Sequence, residues 1–262
     1  MADERTTSLS AADLPEILRK IRARTPARIL VGRSGAAYRT ATQMDLRSAH
    51  AAARDAVRAE LDLQSALGPA FVSQWKLFEV ETQATSKDEF LMRPDLGRHF
   101  SDASSMEITK RCPRGSDLQI AIGDGLSVRA VASQIPALLP LLIEGASARG
   151  WKVGQSFVIR HCRVGILNQV GELLSPQVAV LLIGERPGLA TAESLSAYMA
   201  YRPRASHTDA HRNLISNIHA RGVHPQLAAT RILNLAARMM EVHASGCDVR
   251  EPGPSLEGGV ST

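Results

Sequence analysis

Residues 178–189, VAVLLIGERPGL, constrain the fold more than any other stretch. Six consecutive apolar residues suit a strand covered on both faces, because alternation with polar residues is needed only where one face meets water. Gly184 and Gly188 allow a sharp turn or a close backbone approach, while Pro187 fixes φ and stops the strand. Ligands in open α/β sheets settle at the carboxyl ends of the strands. The charged pair Glu185 and Arg186 sits in a constrained turn at such an end, which makes GERPG the first candidate for a binding site.

The rest of the chain supplies a context for that strand. Residues 12–24 place Leu14, Ile17, Leu18 and Ile21 on one helical face. ARILVGRSG follows as a strand and loop or an extended arm. A longer helix starts at Thr40, with Gln43 spaced as in a capping box and an Ala-rich stripe through Leu46, Ala49, Ala53 and Val57. QWKLFEVETQ (74–83) alternates as a strand with one wet face. The polar run 101–115, carrying Pro113 and Gly115, marks a domain boundary. Beyond it the punctuation becomes strand, glycine turn, helix. Strands are expected at DLQIAIG, 156–160, 178–183 and LISNI, and helices at about 127–149, 194–199 and 225–244. Such alternation argues for an α/β fold, a largely parallel Rossmann-like sheet domain at 113–246. A tail and helix at 1–24 and a mainly helical region at 25–112 suited to subunit contact precede it, and a flexible tail at 247–262 follows.

Composition narrows the class. With 262 residues, 44% of them hydrophobic, the chain can bury a real core. The excess of 31 basic over 26 acidic residues is interleaved rather than striped, which does not point to nucleic acid. The three cysteines, Cys112, Cys162 and Cys247, form no CxxC pair and fit thiols in a reducing compartment. The first ten residues contain no apolar core of a secretory signal. The longest nearly unbroken apolar run, 135–143, falls short of the roughly 20 residues that span a bilayer. A cytoplasmic protein without a membrane segment is expected.

Two glycine turns after strands, GDG at 123–125 and GERPG at 184–188, are the site candidates. Neither is GxGxxG or GxxxxGK[ST], so a phosphate cradle is not indicated, and ordinary strand-to-helix turns would look the same. His207, His211, His219 and His224 form neither HxxxH nor HExxH, so no metal ligands are assigned. Asp209 and His211 begin a DxHxxG pattern, the mark of cobalamin proteins whose histidine replaces the lower cobalt ligand, but its sixth position is Leu214. No GxSxG elbow occurs, and no catalytic residue is assigned. Read alone, the residues leave open a stand-alone α/β hydrolase or nucleotide-dependent enzyme, and a non-catalytic interaction module.

Several longer motifs occur in a recognisable order: RPDLGR (93–98), DLQIAIGDGLS (117–127), LLIGERPGL (181–189), SLSAYMAYRPR (194–204), RNLISNI (212–218) and ASG (244–246). With TPARILVGRSG and HAAARDAV near the start, they resemble the small subunit of ethanolamine ammonia-lyase over residues 25–246. The resemblance implies a carbon–nitrogen lyase that converts ethanolamine to acetaldehyde and ammonia with adenosylcobalamin. A large subunit, a TIM barrel, would carry the radical chemistry in a hetero-oligomer. The cobalamin would stay base-on, which agrees with the broken DxHxxG. Encapsulation in a bacterial microcompartment is left open. The family's cofactor contacts carry over to Val164 in HCRVG, to Glu185 and to the position of Leu214, where the family has a cysteine. A contact made by packing or backbone would survive that exchange; a role for the thiol would not. Val164 and Leu214 suit apolar contact with a corrin edge, and Glu185 could accept hydrogen bonds from the corrin amides. As a loop carboxylate, Glu185 is expected to matter more to binding than to folding.

Overall fold

The stretch expected as a doubly covered strand is buried at every position from Val178 to Gly184 and lies inside a six-stranded sheet. The computed structural model describes residues 16–25, 27–29 and 31–251. The start of the first helix, expected from residue 12, and the tail from 252 onward lie outside them.

In chain order the N-terminal part comprises helix α1 (Glu16–Arg24) and a small antiparallel hairpin of β1 (Arg33–Ser34) and β2 (Ala37–Tyr38). The helices α2 (Thr40–Arg58), α3 (Leu63–Leu67) and α4 (Pro69–Gln74) follow. Next come β3 (Glu79–Glu81), α5 (Lys87–Met92) and α6 (Asp102–Arg111). The remainder is β4 (Leu118–Gly123), α7 (Val128–Ser147), β5 (Phe157–Arg160), α8 (Ile166–Leu174), β6 (Val178–Gly184), β7 (Leu195–Tyr201), β8 (Asn213–Ile218) and α9 (Pro225–Val242). The sheet order is β3-β5-β4-β6-β7-β8, parallel from β3 to β6 and antiparallel from β6 to β8.

Alternation along the strands sends successive side chains into two cores. Leu118, Ile120, Ile122, Val180 and Leu182 pack against α7, α9 and α3 on one face. Ala121, Phe157, Ile159, Leu181 and Ile183 pack beneath α6 and α8 on the other. Each fully buried Leu or Ile contributes about 1.5–3 kcal/mol, so the β4–β6 pair anchors both layers. Helix α7 is apolar and long enough to cross a membrane, yet Ile135, Leu138, Leu139 and Leu142 are wholly buried in the first core. Its Pro136 is exposed and Pro140 half-buried, away from the sheet.

Several local expectations are corrected. The helix expected at 194–199 is the strand β7, paired with β6 along its whole length. Leu195, Ala197 and Met199 enter the first core while Tyr198 meets the second, a period of two that outweighs the helix propensity of Leu, Ala and Met. Arg39, not Thr40, caps α2, and the Gln43 side chain donates to the Tyr38 carbonyl at 3.1 Å, so no capping box forms. The polar run 101–115 contains α6, capped by Ser101, whose hydroxyl accepts from the Ser104 amide. Strand β3 shows that the sheet begins ahead of residue 113, because β5 needs a parallel neighbour on its open side. The tail expected to be flexible is ordered through residue 251. Just before it Ser245 Oγ accepts from the Tyr201 amide at 3.0 Å, and within it Val249 is buried and Glu251 pairs with Arg231. The three cysteines are free, with Cys112 and Cys162 buried.

The turn after β4 tests the architecture most sharply. Gly125 has φ +54°, and a β-carbon there would lie 2.3 Å from the Gly184 carbonyl oxygen. Gly125→Ala is expected to lower unfolding free energy by at least about 2 kcal/mol, measured by urea denaturation, through left-handed strain plus the clash.

Candidate functional site

The chain leaves β4 through α7 toward β5 on one side, whereas β6 flanks β4 on the other. The carboxyl ends of β4 and β6 thus form the switch point where open α/β sheets bind ligands. GDG and GERPG meet there as interlocked backbone. A β-carbon on Gly184 would fall 2.2 Å from the Ser127 carbonyl oxygen, and the Leu126 amide donates to the Gly184 carbonyl at 3.1 Å. The Asp124 and Ser127 amides are also engaged, by the carbonyls of Ile159 and Asp124. With its amides spent internally, this turn is a structural joint and not a phosphate cradle.

Asp124, wholly buried, supports the site from behind. Its carboxylate accepts from the amides of His161 at 3.0 Å and Cys162 at 2.8 Å, and the Lys87 ammonium lies 3.5 Å away. His161 itself has φ +55° and faces two acceptors, the Ala84 carbonyl at 3.0 Å and Glu60 at 3.1 Å. Burial alone would raise the Glu60 pKa. Its hydrogen bonds to His161 and Arg160 and the charges of His161 and Lys87 outweigh that and hold it below the ordinary carboxylate value. This network fixes the turn that presents Arg163 and Val164.

Val164, Glu185 and Leu214, drawn from three separate segments, line one cavity of about 350 Å³, together with Arg163, Arg186, Ser196, Tyr198 and Ser216. A second cavity of about 800 Å³ shares Arg163, Val164 and Tyr198 and runs on past Arg98, Asn168, His207 and Arg212. Together they make one groove. Its floor is the face of β7 and β8 that lies beyond the helical cover, with Leu214 opposite Tyr198 in the ladder and 47% exposed. Burial first, and then the charges of Glu185 and Asp209, raise the Tyr198 pKa, so its hydroxyl stays protonated as a donor.

Glu185 does more than the sequence implied. Its Oε1 accepts from Ser196 Oγ at 2.6 Å and from the Asn217 amide at 2.8 Å, tying the ends of β7 and β8 to the end of β6. Both bonds fall on Oε1, which leaves Oε2 its lone pairs for a ligand. These bonds give the carboxylate a structural role beside the binding role expected of it. The loop that follows is pinned by the Arg28 guanidinium, which donates to the Leu189 carbonyl at 2.6 Å.

The histidines stand apart from this groove centre. His211 lines a different cavity with Tyr201 and His243, accepts from the Thr208 amide and stacks on His207 with ring centroids 4.6 Å apart. Among the described residues no group of three His, Cys, Asp or Glu could hold a metal ion. Sequence reasoning missed Arg98, Arg163, Tyr198 and Arg212. The arginines of RPDLGR and HCRVG were visible, but nothing in their spacing showed that the two turns touch.

The architecture is that of an α/β protein with an open groove across the carboxyl ends of its strands, the usual place for a ligand in such sheets. The ethanolamine ammonia-lyase light-chain model (EutC) matches residues 15–250, and the chain belongs to that family. It is 39% identical over 231 residues to the ethanolamine ammonia-lyase small subunit of Clostridium perfringens, covering 88% of this chain and 76% of the relative. The small subunit of Clostridium acetobutylicum is 37% identical over 235 residues, covering 90% and 95%. That of Listeria monocytogenes serovar 1/2a is 38% identical over 231 residues, covering 88% and 77%.

Glu185→Ala should lower unfolding free energy by about 2 kcal/mol, from two lost bonds to a charged acceptor, while Glu185→Gln, which keeps an acceptor oxygen, should lose less than half of that in the same denaturation experiment. His207 gives a pH dependence. Burial, then the neighbouring His211, Arg204 and Arg212, lower its pKa from the ordinary 6.5. Below that value the unfolded chain binds a proton that the folded chain resists, so this contribution is full above pH 6.5 and falls as the pH drops. Thermal melts between pH 7.5 and 5.5 should show a smaller decline in His207→Asn than in the parent.

Proposed function

We propose that this chain is the small subunit of an adenosylcobalamin-dependent ethanolamine ammonia-lyase and that it closes over the cofactor while a large subunit carries the chemistry. The observation behind this reading is the convergence of Val164, Glu185 and Leu214 on one cavity with an open side. The lining suits a corrinoid: apolar Val164 and Leu214 for the ring edge, and Tyr198, Ser196 and the free oxygen of Glu185 for the peripheral amides. Arg163 Nε, buried and without a partner among the described residues, adds a donor seeking an acceptor. A corrinoid exceeds either cavity, so the remaining wall has to come from the partner, a TIM-barrel large subunit in the family.

When bound, adenosylcobalamin supplies a carbon-centred radical through homolysis of its cobalt–carbon bond. This chain's residues then bind, orient and exclude water. Tyr198 donates from a protonated hydroxyl, and Glu185 accepts through Oε2 while Oε1 stays bound to Ser196 and Asn217. Leu214 contributes packing, so nothing in this chain depends on the thiol that the family carries there. His211, the histidine of the broken DxHxxG pattern, lines a cavity separate from that of Val164, Glu185 and Leu214, which supports the base-on reading. Substrate turnover to acetaldehyde and ammonia belongs to the large subunit.

Reconstitution tests the reading. Ammonia release from ethanolamine should require this chain, the large subunit and adenosylcobalamin together. Deamination by the isolated chain, or none from a folded and associated complex, would refute it.

A further inference from the structure

Two turns at the mouth of the groove are built around each other. A β-carbon on Gly97 would lie 2.7 Å from Arg163 Cγ, and one on Gly165 would lie 2.9 Å from Arg98 Cγ. The Arg163 amide donates to the Gly97 carbonyl at 2.8 Å. Each glycine thus leaves room for the other turn's arginine stem, and both guanidinium groups are delivered beside Val164. Arg186 lines the same cavity as Arg163.

Among the described residues no carboxylate pairs with Arg98, Arg163 or Arg186. The nearby acids are otherwise engaged: Asp209 pairs with Arg212, Glu172 Oε1 accepts from the Ala205 amide, Glu185 binds Ser196 and Asn217, and buried Asp124 faces Lys87. Arg163 stacks over the Phe90 ring at 4.1 Å and donates Nη2 to the Phe90 carbonyl at 3.2 Å, while its Nε is buried and unbonded. Burial, then the charge of Arg186 and more weakly that of Arg98, pull the Arg163 pKa down, which places three like charges within interaction range. The N-terminus of α8 lies at the same spot; the amides of Ile166, Leu167 and Asn168 donate to the carbonyls of Arg163, Val164 and Gly165, so the helix contributes its dipole there and not free amide donors.

We propose that Arg98, Arg163 and Arg186 form an anion subsite beside Val164, and that it takes the phosphodiester of the cofactor's nucleotide tail. The natural ligand rests on the cobalamin reading above. Corrin amides are neutral, so the phosphodiester is the cofactor's anionic group and the one that three guanidinium groups would select. The subsite would set the tail's position along the groove, next to the wall that Val164 and Leu214 provide for apolar parts.

The test uses Arg98→Gln and Arg186→Gln, both at exposed positions, in the complex with the large subunit. Cyanocobalamin and cobinamide, which lacks the nucleotide and its phosphate, are titrated separately by absorbance. Each substitution should weaken cyanocobalamin about tenfold, leave cobinamide unchanged and reduce the salt dependence of binding. Parallel losses for both corrinoids, or no loss for cyanocobalamin, would overturn the subsite. If the parent complex binds neither corrinoid, the cobalamin reading fails and inorganic phosphate decides the subsite separately. Phosphate-dependent NMR shifts of the Val164 and Gly165 amides in the full chain, abolished in the double variant, would sustain it. Absence of such shifts in the parent would overturn it.

Discussion

A carboxylate with no exposed surface holds this structure's business end together. Asp124 reaches from the end of β4 to two amides at the end of β5 and meets the Lys87 ammonium from α5. Burying that charge costs several kcal/mol, repaid only because the amides and the ammonium fill its lone pairs. Three segments are thereby locked in register, and the turn bearing Arg163 and Val164 follows from that lock. Everything at the groove inherits its geometry from a residue that lines neither part of it.

Above this joint the sheet changes character. The parallel strands are roofed on both faces, as parallel sheets require. Strands β7 and β8, added to β6 by antiparallel pairing, carry the sheet past the reach of α6 and α8 and leave Leu214 exposed and Tyr198 half-buried. Membership of the light-chain family implies a partner subunit. The carboxylate of Glu185 spans the junction, joining the roofed part to the open part through Ser196 and Asn217.

Much of this was legible beforehand, for identifiable reasons. The strand at 178, the glycine turns and α9 stand out because burial and periodicity reinforce one another there. Val164, Glu185 and Leu214, which share one cavity with other residues, were singled out through ordered motifs and not through their own chemistry. Strand β7 was misread because its Leu, Ala and Met also suit a helix, and only the pairing with β6 decides between the two. The role of Asp124 was hidden since a GDG turn looks alike whether its carboxylate faces a ligand or the interior. The arginine pair was hidden because the Gly97 and Gly165 turns are far apart in sequence and meet only in the fold.

The interlocked turns at Gly125 and Gly184 carry one more implication. At this joint the two loops meet backbone to backbone, so the seating of the end of β4 against the end of β6 is insulated from substitution at the cavity's rim. A side chain on the open strands, such as Leu214, can then be exchanged for one of another size without moving this joint. The same insulation makes the glycines themselves nearly immovable: variation is tolerated at the lip and forbidden at the hinge.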